Sequence, residues 1–258
     1  DYMNFSYLIS AGNCTCILME DYLEFLVDDP KTKVVGLYLE GVRDSRKFTR
    51  ILAKAAAARK PIVVLKMGRS SAGCRVASSH TGSLSGSDKA FDAVCKKFGI
   101  LRVDDIEELV QMCHLLSVLP EIPERAAYSA MCLSGGETGV CADVGAAHGI
   151  KYPDFSKETL DELGRLLPDY ASPANPLDMT ATLSHDGPKY AQAIETIMRD
   201  PSVGMVLCGF TILPKHGLQD VIYPMSYGMV MAAKEHIKPL AVMSFFNSSR
   251  DPVLRNKL

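Results

Sequence analysis

No long basic run occurs in the 258 residues, and the net charge is −2 at neutral pH. The electrostatic footprint of a nucleic-acid partner is therefore missing. No apolar stretch reaches the roughly twenty residues of a membrane span, and no secretory leader opens the sequence. The spacing of a zinc knuckle is missing as well. Cys14-Thr15-Cys16 has one intervening residue and no second pair, so no metal is assigned. Neither a Walker motif nor a dinucleotide fingerprint is present, so nucleotide binding does not follow from local motifs. What remains is 47% apolar and 22% charged residues, the balance of a soluble globular protein. The length suits one large domain or two ordinary ones. Most of the eight cysteines (Cys95, Cys113, Cys132, Cys141 and Cys208 among them) lie inside apolar runs, which reads as reduced core cysteine in a cytoplasmic protein.

His80 is the most informative residue. It stands in Ser78-Ser79-His80-Thr81-Gly82-Ser83-Leu84-Ser85-Gly86-Ser87-Asp88, where small hydroxyl residues and glycines offer it little to pack against. The run follows an apolar strand signal at Ile62 to Leu65 and leads into a helical pattern from Ser87 to Phe98. The imidazole is thus expected on a loop above a sheet edge, available as base, nucleophile or ligand. An exposed turn histidine with no duty fits the composition equally well.

Strand and helix signals alternate along the chain. Strands are expected at Phe5 to Ile9, Val34 to Leu39, Ile62 to Leu65 and Ile100 to Val103. Helices are expected at Leu18 to Val27, Arg46 to Ala57, and after Asp104-Asp105, where Ile106, Leu109, Val110, Cys113 and Leu116 share a face. Pro120 to Arg125, with two prolines and two acids, reads as a linker. The pattern then restarts with a strand at Tyr128 to Leu133, a glycine-rich loop and a helix from Gly139 to Ala147. Further helices are expected at Lys157 to Leu166 and Pro188 to Met198, and strands at Val203 to Cys208 and Pro239 to Phe245. The expectation is α/β, with two doubly wound, flavodoxin-like parallel-sheet domains in tandem over residues 1–122 and 123–258. The last residues read as a helix just begun, as though the chain were cut at Leu258.

Two loops have the chemistry to hold phosphate. Ser134-Gly135-Gly136-Glu137-Thr138-Gly139 lies between strand and helix, where free N–H groups and the helix dipole attract anions. Its glycines allow close backbone approach, and Ser134 and Thr138 can offer hydroxyls. A plain tight turn explains the same residues. Ser10-Ala11-Gly12-Asn13 carries this chemistry more weakly. Glu40 ends the strand Val34 to Leu39, so it and the His80 loop can share the carboxyl-end rim of a parallel sheet. A carboxylate there can fix the imidazole tautomer and stabilise a charged ring, although a solvated acid at a strand end is the commoner case. Lys66 and Arg69 read more readily as surface charge than as anion ligands. Asn175 and Asp178 suit a structural turn at least as well as a catalytic duty.

Taken in order, Ser10-Ala11-Gly12-Asn13, Tyr38-Leu39-Glu40-Gly41, Lys60 to Arg69, Ser79-His80-Thr81-Gly82, Gly86-Ser87-Asp88, Arg102 to Leu109, Ser134-Gly135-Gly136 and Asn175-Pro176-Leu177-Asp178 resemble the NDP-forming acyl-CoA synthetases, relatives of succinyl-CoA synthetase. The resemblance covers nearly the whole chain. It implies interconversion of acyl-CoA, phosphate and NDP with acid, CoA and NTP, through an acyl phosphate and a transient phosphohistidine. It makes His80 the phosphorylated residue, Glu40 its orienting acid, and Ser134-Gly135-Gly136 the start of a phosphate-binding helix. Gly12, Asn13 and Thr138 are further phosphate-loop candidates, with Thr81, Gly82, Asn175 and Asp178 as loop support. The resemblance also implies a CoA-binding Rossmann domain and an ATP-grasp domain, the latter taking ADP or ATP with Mg2+. Neither is recognisable here, so a fragment of a larger, oligomeric synthetase is expected, inactive alone. A non-catalytic CoA- or phosphate-sensing module on the same fold is the alternative.

Overall fold

The computed structural model describes residues 5–12, 14–70, 73, 87–119, 127–210 and 219–245, with backbone alone at 219–220. The chain divides into two compact units, Asp1–Leu119 and Pro120–Leu258.

In the first unit the order is α1 (Met19–Asp28), β1 (Val35–Leu39), α2 (Ser45–Ala57), β2 (Ile62–Lys66), α3 (Asp88–Phe98), β3 (Leu101–Val103) and α4 (Ile106–Val118). The strands pair in parallel in the order β1-β2-β3, with Leu37 beside Val64 and Val64 beside Arg102. Every residue of β2 is buried because both sheet faces are covered. Ile62 and Val64 pack with Leu23, Ile51, Leu52 and Phe91. Val63 and Leu65 pack on the other face, against Leu109, Met112 and Leu116. Local chemistry sets the helix limits: Asp44 and Asp105 accept the N–H groups of Lys47 and Glu108 as N-caps. Gly99, at φ 67°, takes the left-handed turn that ends α3.

Phe5 to Ile9 is not a strand. The segment is exposed, Leu8 at 87%, and among the described residues no ladder receives it. β-forming composition does not make a strand without a partner edge. Tyr7 instead sets its ring edge-on to Phe25 at 5.2 Å.

The second unit runs β4 (Tyr128–Cys132), α5 (Gly135–Ala147), α6 (Lys157–Leu166), β5 (Leu177–Asp178), α7 (Gly187–Arg199), β6 (Met205–Gly209), α8 (Gln219–Lys234) and β7 (Leu240–Met243). All pairings are parallel, in the order β5-β4-β6-β7. The first strand is internal, and the winding reverses between β4 and β6. Open sheets of this kind bind ligands outside the carboxyl ends of the strands at such a reversal. Met131 and Val206 face a core with Leu163, Tyr190, Ile194 and Ile197. Ala130 and Cys132 face Cys141 of α5 on the opposite side. α7 and α8 cross backbone to backbone: a Cβ at Gly228 would lie 2.6 Å from the Gly187 carbonyl oxygen. α8 holds Pro224 within it. Among the described residues no helix is long and apolar enough to cross a membrane.

Candidate functional site

In the second unit the site grows from the end of β4. Ser134, in extended backbone at φ −141°, caps a helix that begins at Gly135, four residues before the expected Gly139. Its Oγ accepts the Glu137 N–H at 3.4 Å, and the Glu137 carboxylate reaches back to accept the Leu133 N–H at 2.9 Å. This reciprocal capping outweighs the poor helix propensity of the paired glycines. The Thr138 hydroxyl donates to the Ser134 carbonyl at 2.9 Å, so its one proton is already engaged. The groups left free to meet an anion are therefore the first-turn N–H groups of exposed Gly135 and Gly136, which by position have no intrahelical acceptor.

Asp178 stands at this helix end and Asn175 does not. β5 pairs Asp178 with Cys132, and the Asp178 carboxylate lies beside Gly135, with Oδ1 accepting the Thr180 N–H at 2.7 Å. Asn175 instead ties down the start of β4: its amide donates to the Tyr128 carbonyl at 3.0 Å and the Pro153 carbonyl at 2.9 Å. Two residues read together from the sequence thus serve opposite ends of one strand.

The first unit offers a second rim. β1 and β2 run parallel, so Glu40 and Met67 leave the sheet on the same edge, where the Met67 N–H donates to Leu39 at 2.9 Å. Glu40 is half-buried, and its Oε2 is buried without a hydrogen-bond partner among the described residues. Lys66 is not surface charge, since it is only 4% exposed. Its ammonium donates to the Met67 carbonyl at 3.0 Å and lies 5.7 Å from the Phe91 ring centroid. The guanidinium of Arg102 lies 5.4 Å from the same ring and pairs with Asp88 at 2.8 Å and Asp92 at 3.2 Å. Arg69 pairs with Asp104. A shallow cleft of about 590 Å³ lies along this edge, lined by Tyr38, Leu65, Lys66, Met67 and the first turn of α4. Gly12 is exposed. His80, Thr81, Gly82 and Asn13 lie outside the described residues. Among the described residues no cluster of three or more His, Cys, Asp or Glu side chains could hold a metal ion.

Sequence reasoning passed over Glu20. It is completely buried, and its Oε1 accepts the N–H groups of Arg43 at 2.8 Å and Asp44 at 3.0 Å. The only advance signal was an acid in the first turn of α1, which by itself reads as a dipole contact.

Two parallel α/β units, each wound on both faces, with ligand-capable loops at the carboxyl ends of their strands, define the class of doubly wound, flavodoxin-like domains. The comparisons narrow it. Residues 1–116 match the succinyl-CoA ligase like flavodoxin domain. The chain is 32% identical over 244 residues to the alpha subunit of acetate–CoA ligase (ADP-forming) II of Pyrococcus furiosus, covering 95% of this chain and 52% of that subunit. It is 40% identical over 177 residues to the acetate–CoA ligase (ADP-forming) of Methanocaldococcus jannaschii, covering 69% of this chain and 25% of that enzyme. Among solved structures, the dinucleotide-forming acetyl-coenzyme A synthetase 1 of Ca. Korarchaeum cryptofilum, in complex with phosphate and ADP, superposes with a TM-score of 0.78 at 30% identity. That match covers 93% of this chain and 51% of that one. The chain belongs to the succinyl-CoA synthetase-like family of NDP-forming acyl-CoA synthetases, through its flavodoxin-like ligase domains. It spans from about a quarter to about half the length of these relatives.

Proposed function

We propose that this chain is the flavodoxin-like portion of an NDP-forming acyl-CoA synthetase, with domains at 1–122 and 123–258. Inorganic phosphate attacks the acyl-CoA thioester, releasing CoA and forming an acyl phosphate. A neutral imidazole nitrogen of His80 then takes the phosphoryl group, releasing the carboxylate. The phosphohistidine passes that group to an NDP, regenerating the imidazole and forming the NTP. A CoA-binding Rossmann domain and an ATP-grasp domain, in the same chain or a partner subunit, supply the thioester and the Mg2+-bound nucleotide.

The observation that carries this reading is the capped helix at Ser134-Gly135-Gly136, opening beside the strand-order reversal of the second sheet. Its N–H groups suit a dianionic phosphate, and phosphoryl transfer depends on positioning and charge stabilisation more than on covalent help. Glu40 supplies the carboxylate for one imidazole nitrogen, leaving the other free to attack. The match to acetate–CoA ligases supports a short acyl group as substrate. The chain without its partner domains is inactive.

The test is phosphohistidine mapping on the complete enzyme after incubation with Mg-ATP, with digestion under mildly alkaline conditions. Acid-labile phosphate on the His80 peptide, lost in His80→Ala, supports the mechanism. Its absence in protein that binds both nucleotide and CoA overturns it and favours a sensing module.

A further inference from the structure

Four acids line α1 toward α2, and one of them behaves differently. Asp21 pairs with Lys47, Glu24 with Lys47 at 3.4 Å and Arg50 at 3.0 Å, and Asp28 with Lys54 at 2.6 Å. Those ion pairs already tether the two helices. Glu20 takes no part in them. It is 0% exposed, and one oxygen receives both N–H groups of Arg43 and Asp44. These are the last two residues before α2 and close the turn that starts at Glu40. The same turn is tied from outside by the Arg43 guanidinium, which donates to the Cys14 carbonyl at 3.1 Å. A carboxylate accepting two N–H groups in a dry site is a stiff brace, because neither water nor another side chain can replace it.

We propose that Glu20 is a positioning residue for Glu40. By fixing the backbone of Arg43 and Asp44, it sets the path of the turn and hence the direction of the Glu40 carboxylate. The inference rests on the role of Glu40 given above. Glu40 has only three residues between it and Asp44, and its buried Oε2 has no hydrogen-bond partner among the described residues, so the path of the backbone helps to set its aim. The Glu20 Oε2 is also unpartnered. A glutamine there can therefore keep the bonded oxygen without costing the other position a partner.

The experiment measures the rate of His80 phosphorylation by Mg-ATP in the complete enzyme, alongside the melting temperature of each variant. Glu20→Met, which keeps bulk and removes the acceptor, is expected to slow phosphorylation roughly tenfold or more. Glu20→Gln is expected to restore it to within about threefold of wild type. In a Glu40→Gln background, Glu20→Met is expected to cause no further loss, since the two substitutions remove one function. Should Glu20→Met fold poorly, Glu20→Asp retains the charge and draws it back from the N–H groups, and it too is expected to slow the step. Losses of Glu20→Met and Glu40→Gln that add in full overturn the inference, as does wild-type phosphorylation in Glu20→Met or Glu20→Asp. If Glu40→Gln slows the step and Glu20→Met does not, this inference alone falls. If Glu40→Gln phosphorylates at the wild-type rate, the assignment of Glu40 fails and takes this one with it.

Discussion

Gly135 and Asp178 are so close that a Cβ on the glycine would lie 3.0 Å from the Asp178 Oδ2. Gly135→Ala must therefore displace the carboxylate by a few tenths of an ångström and place a methyl over the helix end. Alanine's better helix propensity offsets much of that strain, so stability is expected to change by less than about 1 kcal/mol. The KM for phosphate in the complete enzyme is expected to rise about tenfold, because close anion approach to the N–H groups is lost. Kinetics with phosphate varied, beside a urea melt, measures both. An unchanged KM would mean the loop does not face phosphate.

Asn175→Ala is expected to do the reverse. It removes two hydrogen bonds to the Tyr128 and Pro153 carbonyls and leaves those acceptors short of a donor. The expected cost is about 2 kcal/mol. Phosphate KM is expected to stay at the wild-type value, since Asn175 serves the far end of β4. Denaturant midpoint and KM, measured on one preparation, separate it from Gly135→Ala.

Asp200 predicts how the second unit responds to acid. It is 1% exposed, and burial by itself would push its carboxyl up. Hydrogen bonds from the Ser202 hydroxyl at 2.6 Å and the N–H groups of Ser156 and Ser202, each at 2.8 Å, instead hold it well below the usual carboxylate range. A carboxyl lowered in the folded state contributes in full above its unfolded pKa, about 3.9. That contribution is lost as pH falls below this value and through the folded one. Asp200→Asn is expected to cost about 2–3 kcal/mol at pH 7. The penalty is expected to shrink below pH 4, as denaturant melts at pH 7 and pH 3 would reveal.

Cysteine labelling is expected to divide sharply. Burial pushes the Cys208 thiol up to about 12, and those of Cys95 and Cys113 up to about 11. Cys132 and Cys141, whose sulfurs lie 3.5 Å apart, are raised by burial as well. Cys16 is exposed. An alkylating agent at pH 7.5 is expected to modify exposed Cys16 in the folded protein, and the buried Cys95, Cys132, Cys141 and Cys208 only after unfolding. Peptide mass mapping before and after denaturation reads this directly. Early labelling of Cys132 would place the β4 end in a more open state.

Periodicity made the two-sheet architecture legible because β2, β4 and β6 are covered on both faces, which leaves largely apolar runs; β5, only Leu177 and Asp178, left no such run. Position at a strand end made Glu40 a candidate for the same reason. Composition misled where tertiary context decides. Phe5 to Ile9 has the residues of a strand without a described edge to join. Lys66 looked like surface charge because a cation over an aromatic ring leaves no local trace. Paired glycines hid the first turn of α5, which rests on a serine and a glutamate three residues apart. α8 was overlooked because Pro224 breaks the expected pattern, though a proline within the first two turns costs the helix few bonds. Glu20 was illegible in principle: its two donors lie more than twenty residues away and are backbone groups, which every residue but proline carries.

At the Gly187–Gly228 contact no layer of side chains separates the backbones of α7 and α8, although Tyr190 and Tyr227 flank it. Packed helices usually slide past one another by small rotamer changes in such a layer. With carbonyl against α-carbon there is nothing to relax at that point, so shear between this pair is resisted there. Adjustment of the second unit then falls mainly to the loops at the strand ends, above a floor that gives little at this point.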